Sequence, residues 1–266
     1  MAAAALAPPA LRLSRVRRLQ VVVLLGIWIG WEIVAASGIV YPGVVPSTFV
    51  IAGALAKLML TAGFWFNLAV TGFEIAFAVT IGSAIGLLAG IAIGGSRFLA
   101  AAAEPLVNAV ASAPKVVFLP IFYLLFGIGA GSKIAVGALG CFLPVAISVI
   151  AGMLEINPTF VRVGRSFGLS RWQMTTKIYL PSLIEAFASG LRIAVGAAIS
   201  ICLIAETRFS YAGIGHMMVQ AYDRSRFPEV YAVLFLIVAL ATTANGLIFG
   251  IGRRRQGRPR PALAKG

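Results

Sequence analysis

Apolar residues run along this chain in long stretches broken by short polar interruptions, with neither the helical nor the strand alternation of half-buried elements. A helix needs about 20 apolar residues to cross a bilayer core about 30 Å thick. Stretches of that kind lie at approximately residues 19–37, 67–93, 103–126, 133–156, 183–206 and 230–251. They predict an all-α integral membrane protein of six transmembrane helices, joined by short loops with no soluble domain between them. Pro42, Gly43 and Pro46 break the chain after the first stretch. Asn157-Pro158 ends the fourth, because a proline drives the residue before it out of the helical region. Pro114 and Pro120 fall inside the third and predict a kink or break there. A membrane tolerates such a break only where protein or water satisfies the freed carbonyls.

Composition agrees with the pattern. Hydrophobic residues make up 60% of the chain and charged ones 11%, against about 25% charged in soluble domains. The net charge of +14 raises nucleic acid as a partner, and the placement of the cations argues against it. With the amino terminus in the cytoplasm, the basic segment 1–18, Arg97, the cations of 162–177 and the basic tail 252–266 all fall inside. Lys57, Lys133, Arg208, Arg224 and Arg226 fall outside, while Lys115 and Arg192 lie within the membrane. This is the positive-inside bias, with both termini cytoplasmic. The tail has two readings, a solvated topology determinant or a contact for anionic lipid headgroups. The first stretch also ends in Ala35-Ala36-Ser37, which could pass for a signal-peptide cleavage site. It exceeds the ~7–15 residues of a signal core, and Trp28, Trp31 and Glu32 inside it fit a retained helix better. Cys141 and Cys202 stand inside apolar stretches at no metal or disulfide spacing and read as small core residues.

Small residues mark helix faces that approach closely in a membrane. Gly82, Gly86 and Gly90 recur every fourth residue, and Gly190, Ala194, Gly196, Ala197 and Ser200 form a second cluster. The partner of either face, in the same chain or in a second copy, is open at this point. The one extended polar interruption is residues 158–181. There Phe160, Val163, Phe167, Leu169, Trp172 and Met174 interleave with Arg162, Arg165, Ser166, Arg171 and Gln173. A short helix with a basic face and aromatic anchors lies on lipid or docks in a protein groove, and Gly168 permits a turn between two such pieces.

These residues carry a resemblance. Gly-Arg-Ser-Phe-Gly-Leu-Ser-Arg-Trp-Gln at 164–173, Lys-Ile-Tyr-Leu-Pro at 177–181, Gly-Leu-Arg at 190–192 and Ala-Glu at 205–206 resemble the cytoplasmic signature of binding-protein-dependent ABC importer permeases. The Pro114–Pro120 stretch and Phe126-Gly-Ile-Gly129 are similar to the sulfonate, taurine, nitrate and bicarbonate branch. The resemblance spans about residues 65–250. It implies a type I ABC importer permease-like fold in a bacterial plasma membrane, a separate ATPase subunit that binds ATP and magnesium, and a periplasmic or extracellular solute-binding protein. It also implies a second copy of the chain enclosing one pathway, and a cargo that is a small anion, sulfonate- or nitrate-like, with a pyrimidine-type vitamin precursor as the alternative. Segment 158–181 then corresponds to a coupling helix, with Gly168 at its turn and Arg165, Leu169, Ser170, Arg171 and Trp172 as ATPase-contact residues. The family signature opens Glu-Ala-Ala where this chain has Arg162-Val163-Gly164, so an ion pair made by that acid in relatives is not carried over.

The remaining chemistry is sparse. Gly127 to Lys133 superficially resembles a phosphate loop, yet it lacks Gly-Lys-[Ser/Thr] and a preceding strand. No ATPase motif, and no other catalytic or metal-binding pattern, stands in the chain, so ATP hydrolysis is assigned to another polypeptide. Charges at membrane depth face a bundle interior or water. Lys115, Arg192 and Glu206 are therefore pathway candidates, each with a plain structural role as the alternative, and Glu32 and Glu74 are further intramembrane acids. His216 has no second His or Cys near it. The loop 207–229 is expected to face the solute-binding protein. A solitary ion-coupled carrier is the alternative function, although such carriers often show inverted repeats and 158–181 has no evident use in one.

Overall fold

The computed structural model describes the backbone of residues 9–41 and 43–256, and the side chains of 15–41 and 43–246. Pro42, the first residues of segment 1–18 and the end of tail 252–266 lie outside the described residues. Every regular element among those described is helical. Five helices are long and apolar enough to cross a membrane: α1 (Pro9–Ser37), α3 (Ala62–Gly94), α6 (Ala130–Leu154), α10 (Ile184–Arg208) and α12 (Phe227–Gln256). A sixth candidate crossing is the pair of α4 (Arg97–Ser112) and a second limb, a 3-10 turn Lys115–Phe118 leading into α5 (Leu119–Phe126), bent by 84°. The bend falls at Ala113-Pro114, both extended in backbone, because a proline ring clashes with helical geometry in the residue before it. Pro120 does not break α5, since it sits in the first turn where no amide donor is needed.

Two elements depart from the sequence-based reading. Residues 38–66, expected as a loop, contain the apolar helix α2 (Thr48–Met59), which is too short to span. Ser47 caps it, and Glu32 of α1 accepts from the Thr48 amide at 2.8 Å and from the Thr48 hydroxyl. The region 207–229 is likewise no simple loop. It holds α11 (Ile214–Asp223), which buries Ile214, Gly215 and Ala221.

The core is α6, clasped by α3 on one side and α10 on the other. Along α3, Gly82 faces Ala138 and Cys141, Gly86 faces Phe142 and Val145, Gly90 faces Ala146 and Val149, and Gly94 faces Ile150 and Met153. Both residue numbers rise together, so α3 and α6 run parallel with a glycine at every fourth residue against the neighbouring backbone. The glycine face left open by the sequence therefore packs within the chain. Gly137 meets Cys202 and Gly190 meets Ser148, so α10 runs antiparallel to α6. Cys141 and Cys202 are fully buried and unpaired in this seam, as their apolar surroundings predicted. By contrast α1 is largely exposed, leaning on α2 and α12 through Trp28, Trp31 and Glu32.

Candidate functional site

The polar segment forms a compact two-helix knuckle at the bundle end where α6 stops and α10 starts. Asn157 accepts from the Thr159 amide at 2.9 Å and starts α7 (Pro158–Ser166), with Pro158 in its first turn. The helix ends at Gly168, whose φ of +65° is left-handed. Such a φ closes a helix at little cost only for a residue without Cβ. The amides of Gly168 and Leu169 then donate to Arg165 O and Gly164 O at 3.0 and 3.1 Å. Ser170 and Gln173 form a reciprocal capping box that opens the one-turn α8 (Arg171–Met174). A π turn, Thr175–Tyr179, and the short α9 (Leu180–Ser182) lead into α10.

Packing orients the knuckle. Met174 is buried, and its sulfur with Ile178 and Leu169 lies over Gly164, where an added Cβ would meet Ile178 at 2.5 Å and Met174 at 2.6 Å. Gly164 thus lets the two limbs close on each other. What they leave outside is apolar and basic. Phe167 is 80% exposed, Trp172 75% and Phe160 58%, and Arg162, Arg165, Arg171 and Lys177 are exposed with them. Of the residues singled out from the sequence, Arg165, Gly168, Arg171 and Trp172 lie on this surface. Ser170 is exposed with its hydroxyl engaged in capping, and Leu169 is half-buried against Gly164.

The three intramembrane candidates are brought to three different places. Lys115 opens the 3-10 turn at the break of the broken crossing, half-buried, with its ammonium donating to Ala111 O. Arg192 donates to Ala188 O at 3.3 Å and lines a groove between α10 and α12 with Ser200, Thr242 and Asn245. Glu206 is buried to 1% exposure. Its two oxygens accept from the Thr71 hydroxyl and the Gly215 amide, both at 2.6 Å. This carboxylate of α10 ties the first turn of α11 to α3.

Around Glu206 lies a network that sequence reasoning missed. Lys133 was placed among the outer loop cations. It is instead 3% exposed inside α6, 2.7 Å from the fully buried Glu74 of α3. Its ammonium also donates to Ser210 Oγ at 2.7 Å, while Ser210 bonds Ala212 O, Gly213 N donates to Asn67 and Ile214 N donates to Thr71. The signal was an acid in one apolar stretch and a base at the start of another, each needing a partner. In the stretch with the superficial phosphate-loop likeness, Lys133 is engaged with Glu74, and helix α5 precedes Gly127. His216 bonds Gln220 at 2.8 Å, and no metal-binding cluster occurs among the described residues.

Residues 82–257 match the family described as binding-protein-dependent transport system inner membrane component. The chain belongs to that family. It is accordingly a membrane permease component of a transport system, in keeping with the helical spans described above. Among curated proteins it is 30% identical to the taurine transport system permease protein TauC of Escherichia coli (strain K12), over 70% of this chain and 71% of that protein. It is 27% identical to the putative aliphatic sulfonates transport permease protein SsuC of Bacillus subtilis (strain 168), over 80% of this chain and 78% of that protein. Among solved structures its fold is similar to a chain of the inward-facing MetNI methionine ABC transporter, with a TM-score of 0.56 and 23% identity, covering 77% of this chain and 95% of that one. Family and fold set aside the solitary carrier.

Proposed function

We propose that two copies of this chain enclose one pathway across a bacterial inner membrane. A solute-binding protein delivers a small anion, sulfonate- or nitrate-like, at the α11 end, and each copy docks one ATPase subunit through 158–181 at the other. The observation that carries the reading is the preformed knuckle, whose glycine turn, capping box and exposed Trp172 build a docking element at one end of the bundle. Six crossings return the chain to the side it started from, so the amino terminus, 158–181 and the carboxyl terminus share the cytoplasm. Their cations agree with the positive-inside bias. The names of the taurine and sulfonate relatives support the cargo class, and Lys115, at the break of the crossing, is the cation we place nearest the pathway. ATP and magnesium belong to the partner. Closure of the ATPase pair draws the two knuckles together and opens the pathway outward, a cycle that works only because its states bind nucleotide and loaded binding protein with different affinity.

The test is co-purification of the tagged chain from native membranes, followed by reconstitution of what is recovered with taurine, an aliphatic sulfonate and nitrate as cargoes. Recovery of a P-loop ATPase, and ATP-dependent uptake of one anion, is the expected result. A chain that purifies without any ATPase and transports an ion-coupled solute would overturn it.

A further inference from the structure

Between Glu155 and Glu185 the chain contains no acidic residue, while Arg162, Arg165, Arg171 and Lys177 are all exposed on the knuckle. The cations come from both limbs of the turn and flank apolar side chains. Phe160, Val163, Phe167, Leu169, Ile178 and Pro181 line a groove there. Four like charges crowded on so small an element repel one another, and nothing acidic in the same segment offsets them. Covered by a partner they would lose water, so a partner that supplies the opposite sign is favoured over a neutral or basic one.

We infer that the ATPase subunit received by 158–181 presents a ring of acidic side chains around an apolar contact, and that Arg162, Arg165 and Arg171 select it by charge. This rests on the proposed docking of an ATPase at that segment. Anionic lipid is the competing source of negative charge. Against it, Phe160 and Val163 of α7, Phe167 and Leu169 of the turn, and Ile178 and Pro181 beyond α8 line a groove that a flat surface does not fill.

The experiment measures binding of the co-purified ATPase to the full-length chain in lipid nanodiscs, made either of phosphatidylcholine alone or with phosphatidylglycerol added. Charges about 8 Å apart are within screening range at 0.15 M salt and beyond it at 1 M. Raising NaCl across that interval should weaken binding at least tenfold, and Arg162→Glu and Arg171→Glu should each do so at 0.15 M in both kinds of disc. Trp172→Ala should weaken binding while leaving the salt dependence unchanged, which separates the apolar contact from the charged one. Both arginines are exposed, and an unchanged melting temperature of each variant verifies folding, with Arg165→Glu as a third variant. Wild-type affinity in all three charge variants would overturn the inference and leave the docking reading standing. A penalty that vanishes in phosphatidylcholine discs would assign the arginines to lipid headgroups and overturn it as well. A wild-type chain that binds no ATPase in either disc would remove the docking reading itself.

Discussion

At the scale of single residues, the buried Glu74–Lys133 pair is the most consequential contact. Placing two charges in an apolar interior is costly, and their attraction compensates only while both are present. Lys133→Met should therefore destabilise the protein by about 3–5 kcal/mol, because it leaves the Glu74 carboxylate buried and alone. The double variant Glu74→Gln, Lys133→Met should recover much of that loss, measured as the melting temperature in detergent. Equal losses in single and double variants would contradict the pairing. Gly168 makes a second residue-scale prediction. With φ at +65°, Gly168→Ala should cost about 1–2 kcal/mol of local strain. Gly168→Pro, whose ring fixes φ near −65°, should go further and abolish ATP-driven uptake with membrane insertion intact.

At the scale of elements, the parallel α3–α6 contact depends on backbone proximity. A Cβ at Gly86 would stand 2.7 Å from Phe142 O and 2.9 Å from Val145 Cβ, and both helices would have to separate to admit it. Gly86→Leu should destabilise the bundle by about 1–3 kcal/mol or more, as overpacking does, and lower its melting temperature. Gly72, with nothing near its Cβ position, should accept alanine with little change. The stripe at 82, 86 and 90 was legible from spacing alone. Its partner was not, since a glycine face carries no information about which backbone lies across from it. Helix α2 was missed for a related reason: it is too short for a span, and its position is set by Trp31 and Glu32 of α1, which bond Pro46 and Thr48 across 15 and 16 residues of sequence.

At the scale of the whole molecule, the crossings, the two distinct ends and the position of the knuckle together make a topological prediction. Single cysteines at Arg171 and Tyr211, both exposed, should label with a membrane-impermeant thiol reagent from opposite sides of the membrane, the first only from the cytoplasm. Labelling of both from one side would refute the proposed orientation. Cys141 and Cys202 are buried and should stay silent in the parent chain, so the assay needs no cysteine-free background. Coupling is testable at the same scale. Trp172→Ala should insert and purify normally and lose most ATP-dependent uptake; normal uptake would separate the knuckle from energy transfer.

Membrane residence, the approximate crossings and the polar segment with its Gly168 turn were legible in the sequence alone, because each depends on local quantities. Those quantities are the length of an apolar run, the side of the cations, and the spacing of capping and turn residues within a few positions of one another. Only the tertiary structure decided that Lys133 is an interior charge, that Glu206 ties the first turn of α11 to α3, that the glycine face packs on α6, and where Lys115, Arg192 and Glu206 each lie. Each of these turns on which distant residue a group faces. In a membrane, nearly every surface is apolar enough to be lipid-facing, so the pattern along the chain marks what enters the bilayer and leaves open what it touches there.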